Sequence, residues 1–598
     1  MLKKSRKIIS VLVAIVLLFN LSFSYSTAII APETVVTSKN KISEELAIAM
    51  ETMDDDDTVS VMVWFEDIDL DAVNAVAEKN IGYTQADVQK AEKAILEIDS
   101  SVFELEGIAY ANAINNYREV TKEERFAVLE MQNNLIDTKR QVAKEHYLRY
   151  NQTQVANLNV SRNKITHISC FSPVAFVTLN IKQILDLAKK DCVQLLGYCN
   201  NSIPTEDFAY ALPAVYANYT RDTLGFDGYG VKVGIFDVGA VGSHSELSSS
   251  TITKLDPSGA TESPHSTGVA RIIAGTNGVA PNASLYSTST DSIYIALEEL
   301  LSYGVSVINI SLHYNRGTAY YDDMERWIDH IAYQHGVTIV KSASNLGIST
   351  TIPTPGLAYN IITVGGTNTL NTSNRSDDIM YADSCSGNGG TAGCAKPDFL
   401  APANVAGYVG TSFSTPIVTG IIAQMIEYKP TLATNPALIK AILTVSTDKK
   451  VLPGASPAVS EEWAGTITAQ QGAGQVNAKN AMATLGKNRY AVGTMSSGTI
   501  SKTFSVSSSD SWIRYSVAWT RRNTASGTHT SSSSTAAIAP NLKLQVYNPN
   551  NTSMGLSNIP TSSVELVHFT VGTTGTHTAK ITRMDSGTNT FDYAVAWH

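Results

Sequence analysis

Apolar and polar positions follow different periods along this chain, and each period marks off a region. Toward the N-terminus SVMVWF, Ser60 to Phe65, alternates as a strand does, and DLDAVNAVAEK, Asp69 to Lys79, spaces its apolar residues as a helix does. Further on, ITHISCF and VAFVTLN predict two strands, KQILDLAKK a helix and VQLLGY a last strand, so residues 29–203 read as one β-α-β-β-α-β domain. Within it, residues 84–158 are rich in Ala, Glu, Lys and Leu and carry a capping box at Thr121 and Glu124. They predict an inserted helical hairpin, a solvated decoration without a chemical role. Residues 204–487 mix buried-strand runs such as VKVGIFDVG, Val231 to Gly239, with apolar helical stretches. In the last region, 488–598, WIRYSVAWT, LKLQVYN, VELVHFTV and FDYAVAWH alternate at period two between Ser/Thr/Gly/Asn-rich turns and predict a separate β-sandwich.

The middle region carries the candidate chemistry. GTSFSTP, Gly410 to Pro416, places Ser412 at the entry to an apolar helix, beside backbone N–H groups without intrahelical acceptors and the positive end of the helix dipole. That is a seat for a nucleophile, with Pro416 expected in the first turn, where no N–H is needed. A serine needs a base and a carboxylate that orients the base. Asp237 stands at the C-terminal end of the VKVGIFDVG strand, and His265 opens the apolar helical stretch HSTGVARIIAG.

With these blocks in place, residues from about 207 to 487 resemble a subtilisin-family serine endopeptidase. GVAPNASL, VINISL, TIVKSASNLG and GAGQVNAKNAM are similar to further blocks of that family, in its order. The resemblance implies a parallel-sheet α/β catalytic domain cutting protein or peptide substrates through Asp237, His265 and Ser412, with Asn345 at the oxyanion. It implies that Ser311, Leu312, His313, Ala343 and Ser344 bind substrate. It also implies that the ferredoxin-like segment before this domain is a propeptide and intramolecular inhibitor, removed by a cut between about Gly197 and Ala211. The chemistry needs no cofactor. The family often binds calcium for structure, but no ligands are placed here, and the run Asp54 to Asp57 lacks the spacing of a calcium loop.

Several residues depart from the family pattern. Ser266, Gly268 and Arg271 replace a glycine, a histidine and a glycine around His265, Ser344 replaces the glycine before Asn345, and His313 and Tyr314 replace glycines in the substrate strand. Val238 replaces the usual Thr or Ser after the aspartate, and Lys341 stands in a normally apolar strand. Arg271 would oppose protonation of the imidazole if left unscreened. These changes motivate an alternative reading, a protease-like binding or signalling protein with a retained but impaired triad.

Composition narrows the setting. The net charge of −10 over 598 residues, with no basic stripe, gives no support to nucleic-acid binding. Lys3, Lys4, Arg6 and Lys7 before the apolar run Ile8 to Leu18 and the small residues to Ala28 read as a secretory signal, 1–28, too short for a lasting membrane span. The expected setting is outside a bacterial cell or at its wall. Cys385 and Cys394 flank a Gly-rich loop and stand close enough in sequence for a disulfide, two thiols being the alternative. For the last region, binding of substrate or cell surface and plain stabilisation of the catalytic domain both stay open.

Overall fold

The computed structural model describes residues 41–51, 53–54, 57–95, 107–198, 212–256, 260–314, 321–370, 378–387, 395–405, 408–447, 467–508, 510–521, 540–560, 562–587 and 589–598. The signal segment, the part of the expected Gly197–Ala211 cut region from Cys199 onward, and Cys394 lie outside these residues. Two compact units emerge, one of 41–69 with 144–198, the other of 70–143 with 212–521 and 540–598.

The described residues begin with α1 (Glu44–Glu51) and β1 (Val59–Trp64), followed by α2 (Leu70–Ile81), α3 (Gln85–Ala94), α4 (Gly107–Val120) and α5 (Lys122–Leu158). Then come β2 (Ile165–Ile168), β3 (Val174–Leu179), α6 (Ile181–Leu187) and β4 (Leu195–Tyr198). The four strands form one antiparallel sheet in the order β2-β3-β1-β4. Its core gathers Val61, Val63, Ala175 and Val177 with Ile184 and Leu187 of α6 and Val155 and Leu158 from the end of α5. The buried Asn151 of α5 donates to the carbonyls of Ser169 and Ser172 at 2.8 and 2.7 Å, fixing that helix to the β2-β3 turn. The helix after β1, expected to cover this sheet, belongs instead to the second unit, and the tail of α5 takes its place. Both stretches are amphipathic, and periodicity fixes which face is apolar but not what it packs against.

The second unit centres on a mostly parallel sheet of β5 (Lys232–Phe236), β6 (Ile252–Lys254), β7 (Ser284–Thr288), β8 (Val307–Ile310), β9 (Thr338–Ser342), β10 (Ile362–Asn368), β11 (Ile379–Met380) and β12 (Phe399–Pro402). The order is β11-β10-β9-β8-β5-β7-β6, with β12 also paired to β10 and only β11 antiparallel. From β5 the chain builds β7 on one side and β8, β9 and β10 on the other, so β5 and β8 meet where the winding changes direction. The helices are α7 (Ala217–Asp222), α8 (Pro264–Ala274), α9 (Ile293–Ser302), α10 (Asp323–His335), α11 (Thr411–Tyr428), α12 (Pro436–Ser446) and α13 (Ala478–Gly486). Strands buried on both faces read as continuous apolar runs, and β8 is buried at every residue. Lys341 of β9 is buried with them, its ammonium donating to the carbonyl and hydroxyl of Ser342.

The C-terminal strands are β13 (Tyr490–Met495), β14 (Thr499–Val506), β15 (Trp512–Trp519), β16 (Leu542–Tyr547), β17 (Ser553–Ser557), β18 (Val564–Thr570), β19 (Gly575–Arg583) and β20 (Phe591–Trp597). They form two antiparallel sheets, β13-β20-β15-β18 and β14-β19-β16-β17, whose side chains share one apolar cluster including Tyr515, Val517, Phe504 and Leu544. The first sheet turns its other face, through Ala518, Leu566, Ala594 and Ala596, into the main core with α12. Polar contacts lock the joint: Ser516 Oγ donates to the Ala441 carbonyl at 2.9 Å, and Arg514 donates to the carbonyls of Thr447 and Ala473. The region expected as a separate piece therefore shares a core with the parallel sheet's unit.

Candidate active site

The C-terminal ends of the central strands converge on α11. Asp237 follows β5, Ser311 follows β8, and Ser344 and Asn345 follow β9. His265 is the second residue of α8, held there by an N-cap in which Ser263 Oγ accepts the His265 N–H at 3.2 Å. The imidazole Nδ1 and Asp237 Oδ1 are 2.6 Å apart, and both side chains are buried. Asp237 Oδ1 also accepts the Val238 N–H at 2.6 Å. With Nδ1 engaged by the carboxylate, Nε2 is the nitrogen available for proton traffic. The imidazole ring lies 4.9 Å from that of Phe413, the residue after Ser412.

Ser412 is the second residue of α11, where a backbone N–H has no intrahelical acceptor. Its hydroxyl donates to the Ser311 carbonyl at 3.0 Å, and the Ser311 hydroxyl donates back to the Ser412 carbonyl at 2.6 Å. The second bond corrects the expectation for Pro416. Pro416 is the sixth helical residue, past the first turn, and its missing N–H would have bonded the carbonyl of residue 412. Ser311 supplies the donor that proline removes.

Asn345 is oriented by the same helix end. Its Oδ1 accepts the Thr411 N–H at 2.9 Å, while its Nδ2 is buried with no protein acceptor. An amide held by one end with its donor unfilled suits a ligand oxygen beside Ser412. Ser344 adopts φ 80°, a left-handed conformation unusual for a residue with a Cβ. Three bonds hold it: its N–H donates to Thr411 Oγ1 at 3.0 Å, its carbonyl accepts from Cys385, and its hydroxyl lies 2.9 Å from His313 Nδ1. Two residues that depart from the family pattern thus meet each other. Leu312 and Ala343 are buried alongside, and Cys385 Sγ accepts the Leu346 N–H at 3.2 Å.

The altered residues of α8 are likewise matched by neighbours. A Cβ at Gly268 would stand 2.6 Å from the Tyr408 ring and 2.9 Å from that of Phe413, two rings stacked with centroids 5.1 Å apart. Arg271 spans Tyr408 and Glu246, its Nε donating to Glu246 Oε2 at 2.7 Å and its guanidinium carbon 5.7 Å from the Tyr408 ring centre. The hydrogen bond from Arg271 holds the Glu246 carboxyl below its ordinary value. The cation is therefore screened. Ser266 donates to the carbonyls of Val238 and Gly239 at 3.1 and 2.6 Å, tying the start of α8 to the loop after Asp237. Glu246 and Tyr408 escape a sequence reading because each lies far along the chain from its partner. Among the described residues no group of three or more His, Cys, Asp and Glu side chains gathers as a metal site would.

A buried carboxylate–imidazole pair and a serine at a helix start, gathered at the C-terminal ends of parallel strands, suit the chemistry of a serine hydrolase. Residues 228–474 match the model of the subtilase family. Subtilisin DY of Bacillus licheniformis is 29% identical over 252 residues, 38% of this chain and 87% of the relative. Subtilisin E of Bacillus subtilis is 27% identical over 289 residues, 43% of this chain and 71% of the relative. The crystal structure of fervidolysin from Fervidobacterium pennivorans aligns with 70% of this chain and 68% of that chain at 15% identity and a TM-score of 0.42. Residues 228–474 are thus a subtilase-family domain, and the likeness to the subtilisins supports a serine endopeptidase.

Proposed function

We infer that this endopeptidase is secreted as a zymogen and cuts peptide bonds through Asp237, His265 and Ser412. Ser412 attacks the scissile carbonyl, His265 takes the hydroxyl proton and returns it to the leaving amine, and Asp237 holds the imidazole and stabilises its cation. The oxyanion forms against Asn345 Nδ2 and the Ser412 N–H, and water then releases the acyl group. The observation that carries this reading is the buried 2.6 Å Asp237–His265 contact on the helix packed beside Ser412. The screening of Arg271 removes the main objection to it.

The acyl residue, bound at Ser412 with its oxygen on Asn345, has its side chain between segments 311–314 and 343–345. Ser311, Leu312, His313, Ala343 and Ser344 form that subsite. The unit built on β1–β4 acts as the inhibitory, ferredoxin-like prodomain, its chain severed from the catalytic domain between about Gly197 and Ala211, and the C-terminal sheets form a β-sandwich. No described helix is long and apolar enough to cross a membrane. The setting inferred from the signal-like N-terminus and the bacterial subtilisin relatives is extracellular or at the cell wall. Structural calcium and a Cys385–Cys394 disulfide belong to this reading as proposals.

Labelling with a fluorophosphonate probe tests the reading, with Ser412→Ala as control and a mass spectrum of the intact chain alongside. Serine-dependent labelling and loss of the first two hundred or so residues are expected. An unlabelled, full-length wild type, even after cleavage by an added protease, overturns it.

A further inference from the structure

Residues 70–143, expected to be a solvated decoration, are built into the core of the catalytic unit. Ile114, Leu129 and Ile136 pack in the same cluster as Val231, Ile273 and Ile422. Arg140 is buried, its guanidinium donating to the Val305 carbonyl at 2.6 Å and the His335 carbonyl at 3.3 Å. Arg125 is buried too, 5.1 Å from the Phe226 ring centre, and reaches the Glu427 carbonyl at 3.5 Å. Asn133 donates to the Gly230 carbonyl at 3.0 Å, and Lys232 to Asp137 at 2.8 Å. Glu92 bonds Lys429 and accepts both the N–H and the hydroxyl of Thr431, at 3.1 and 2.9 Å. The surfaces are matched closely enough that a Cβ at Gly230 would stand 2.7 Å from Leu129, and one at Gly304 would collide with Asp137.

This surface lies at the wrong end of α11 to obstruct the reaction. Glu427, Tyr428 and Lys429 close the helix that Ser412 opens, and a helix of 18 residues is about 27 Å long. Withdrawing the helices would strip apolar side chains from the main core and break the buried Arg140 bonds to the carbonyls of Val305 and His335. Buried groups so deprived resist dissociation.

We propose that residues 70–143 are a lasting part of the working enzyme, a helical chain that stays docked at the far end of α11 after the peptide before the catalytic domain is cut. The proposal rests on the zymogen reading for its cut but not for its test. Full-length Ser412→Ala protein with a site-specific protease sequence placed within 199–211 is cleaved and passed over a sizing column, and each peak is read by denaturing mass spectrometry. Co-elution of a fragment containing 70–143 with the catalytic chain is expected, released at least tenfold faster in Arg125→Ala/Arg140→Ala. Should that double variant fail to fold, Glu92→Ala, which keeps both arginines, is expected to speed release several-fold. Elution of the catalytic chain alone, or release at the parental rate in the variant read, overturns the proposal. Because the cut is supplied, failure of Ser412 to label in the wild type would sink the zymogen reading and leave this one standing.

Discussion

At its N-terminal end α11 holds Ser412 among groups set for a ligand, with Asn345 Nδ2 buried and lacking a protein acceptor. At its C-terminal end Glu427 is saturated instead: its Oε2 accepts the N–H groups of Asp227 and Gly228 at 2.7 and 2.8 Å, and its backbone carbonyl accepts from Arg125. Burial, with Asp227 nearby, pushes the Glu427 carboxyl up to about 7. Burial draws the Arg140 guanidinium down to about 10. The contrast teaches where this helix is poised and where it is anchored. Unfilled donors cost stability and are kept where a developing oxyanion repays them, whereas the anchored end leaves little for a ligand to satisfy.

The comparison breaks if a change at one end is felt at the other. Asn345→Ala is expected to lower kcat about 10²- to 10³-fold while leaving the retention of 70–143 unchanged. Parallel losses in turnover and retention would mean that the two ends are coupled. A smaller effect is expected from His313→Gly with Ser344→Gly, which opens the space between segments 311–314 and 343–345 and relieves the left-handed Ser344. Relative kcat/KM should shift toward substrates with a bulkier residue before the scissile bond by about 10-fold or more. An unchanged profile across a peptide series would remove the His313–Ser344 pair from the subsite.

The smallest effect lies outside both ends and serves as a control. Glu565 is buried in β18, accepting from Ser557 and from the Ile559 N–H at 2.7 Å, and burial pushes its carboxyl up to about 8 from 4.5. A carboxyl whose folded pKa is raised contributes stability that is full below about pH 4.5 and is lost as pH rises through about 8. Glu565→Gln should therefore flatten the fall in melting temperature across that window without touching turnover. An equal fall in both proteins would place the titration elsewhere.

That Asp237, His265 and Ser412 stand at element ends was legible in the sequence because the apolar run of each element is local, and so were most C-terminal strands with strict alternation. The edge strands β13 and β17 carry fewer buried side chains and left a weaker signal. What stayed hidden depends on distant pairing. Nothing near Arg271 announces Glu246, nothing near Pro416 announces Ser311, and the polar content of α5 disguises two buried arginines as solvent-facing charge. The same limit assigned the helix after β1 to the first unit, whereas it falls in the second.

One native mass spectrum of the wild-type protein after maturation, taken with the fluorophosphonate probe bound, tests both ends of α11 together. The account predicts a complex in which the catalytic chain carries one label at Ser412 and a second chain containing residues 70–143 remains attached. A labelled catalytic chain alone would contradict the anchored end, and an intact complex without label would contradict the reactive one.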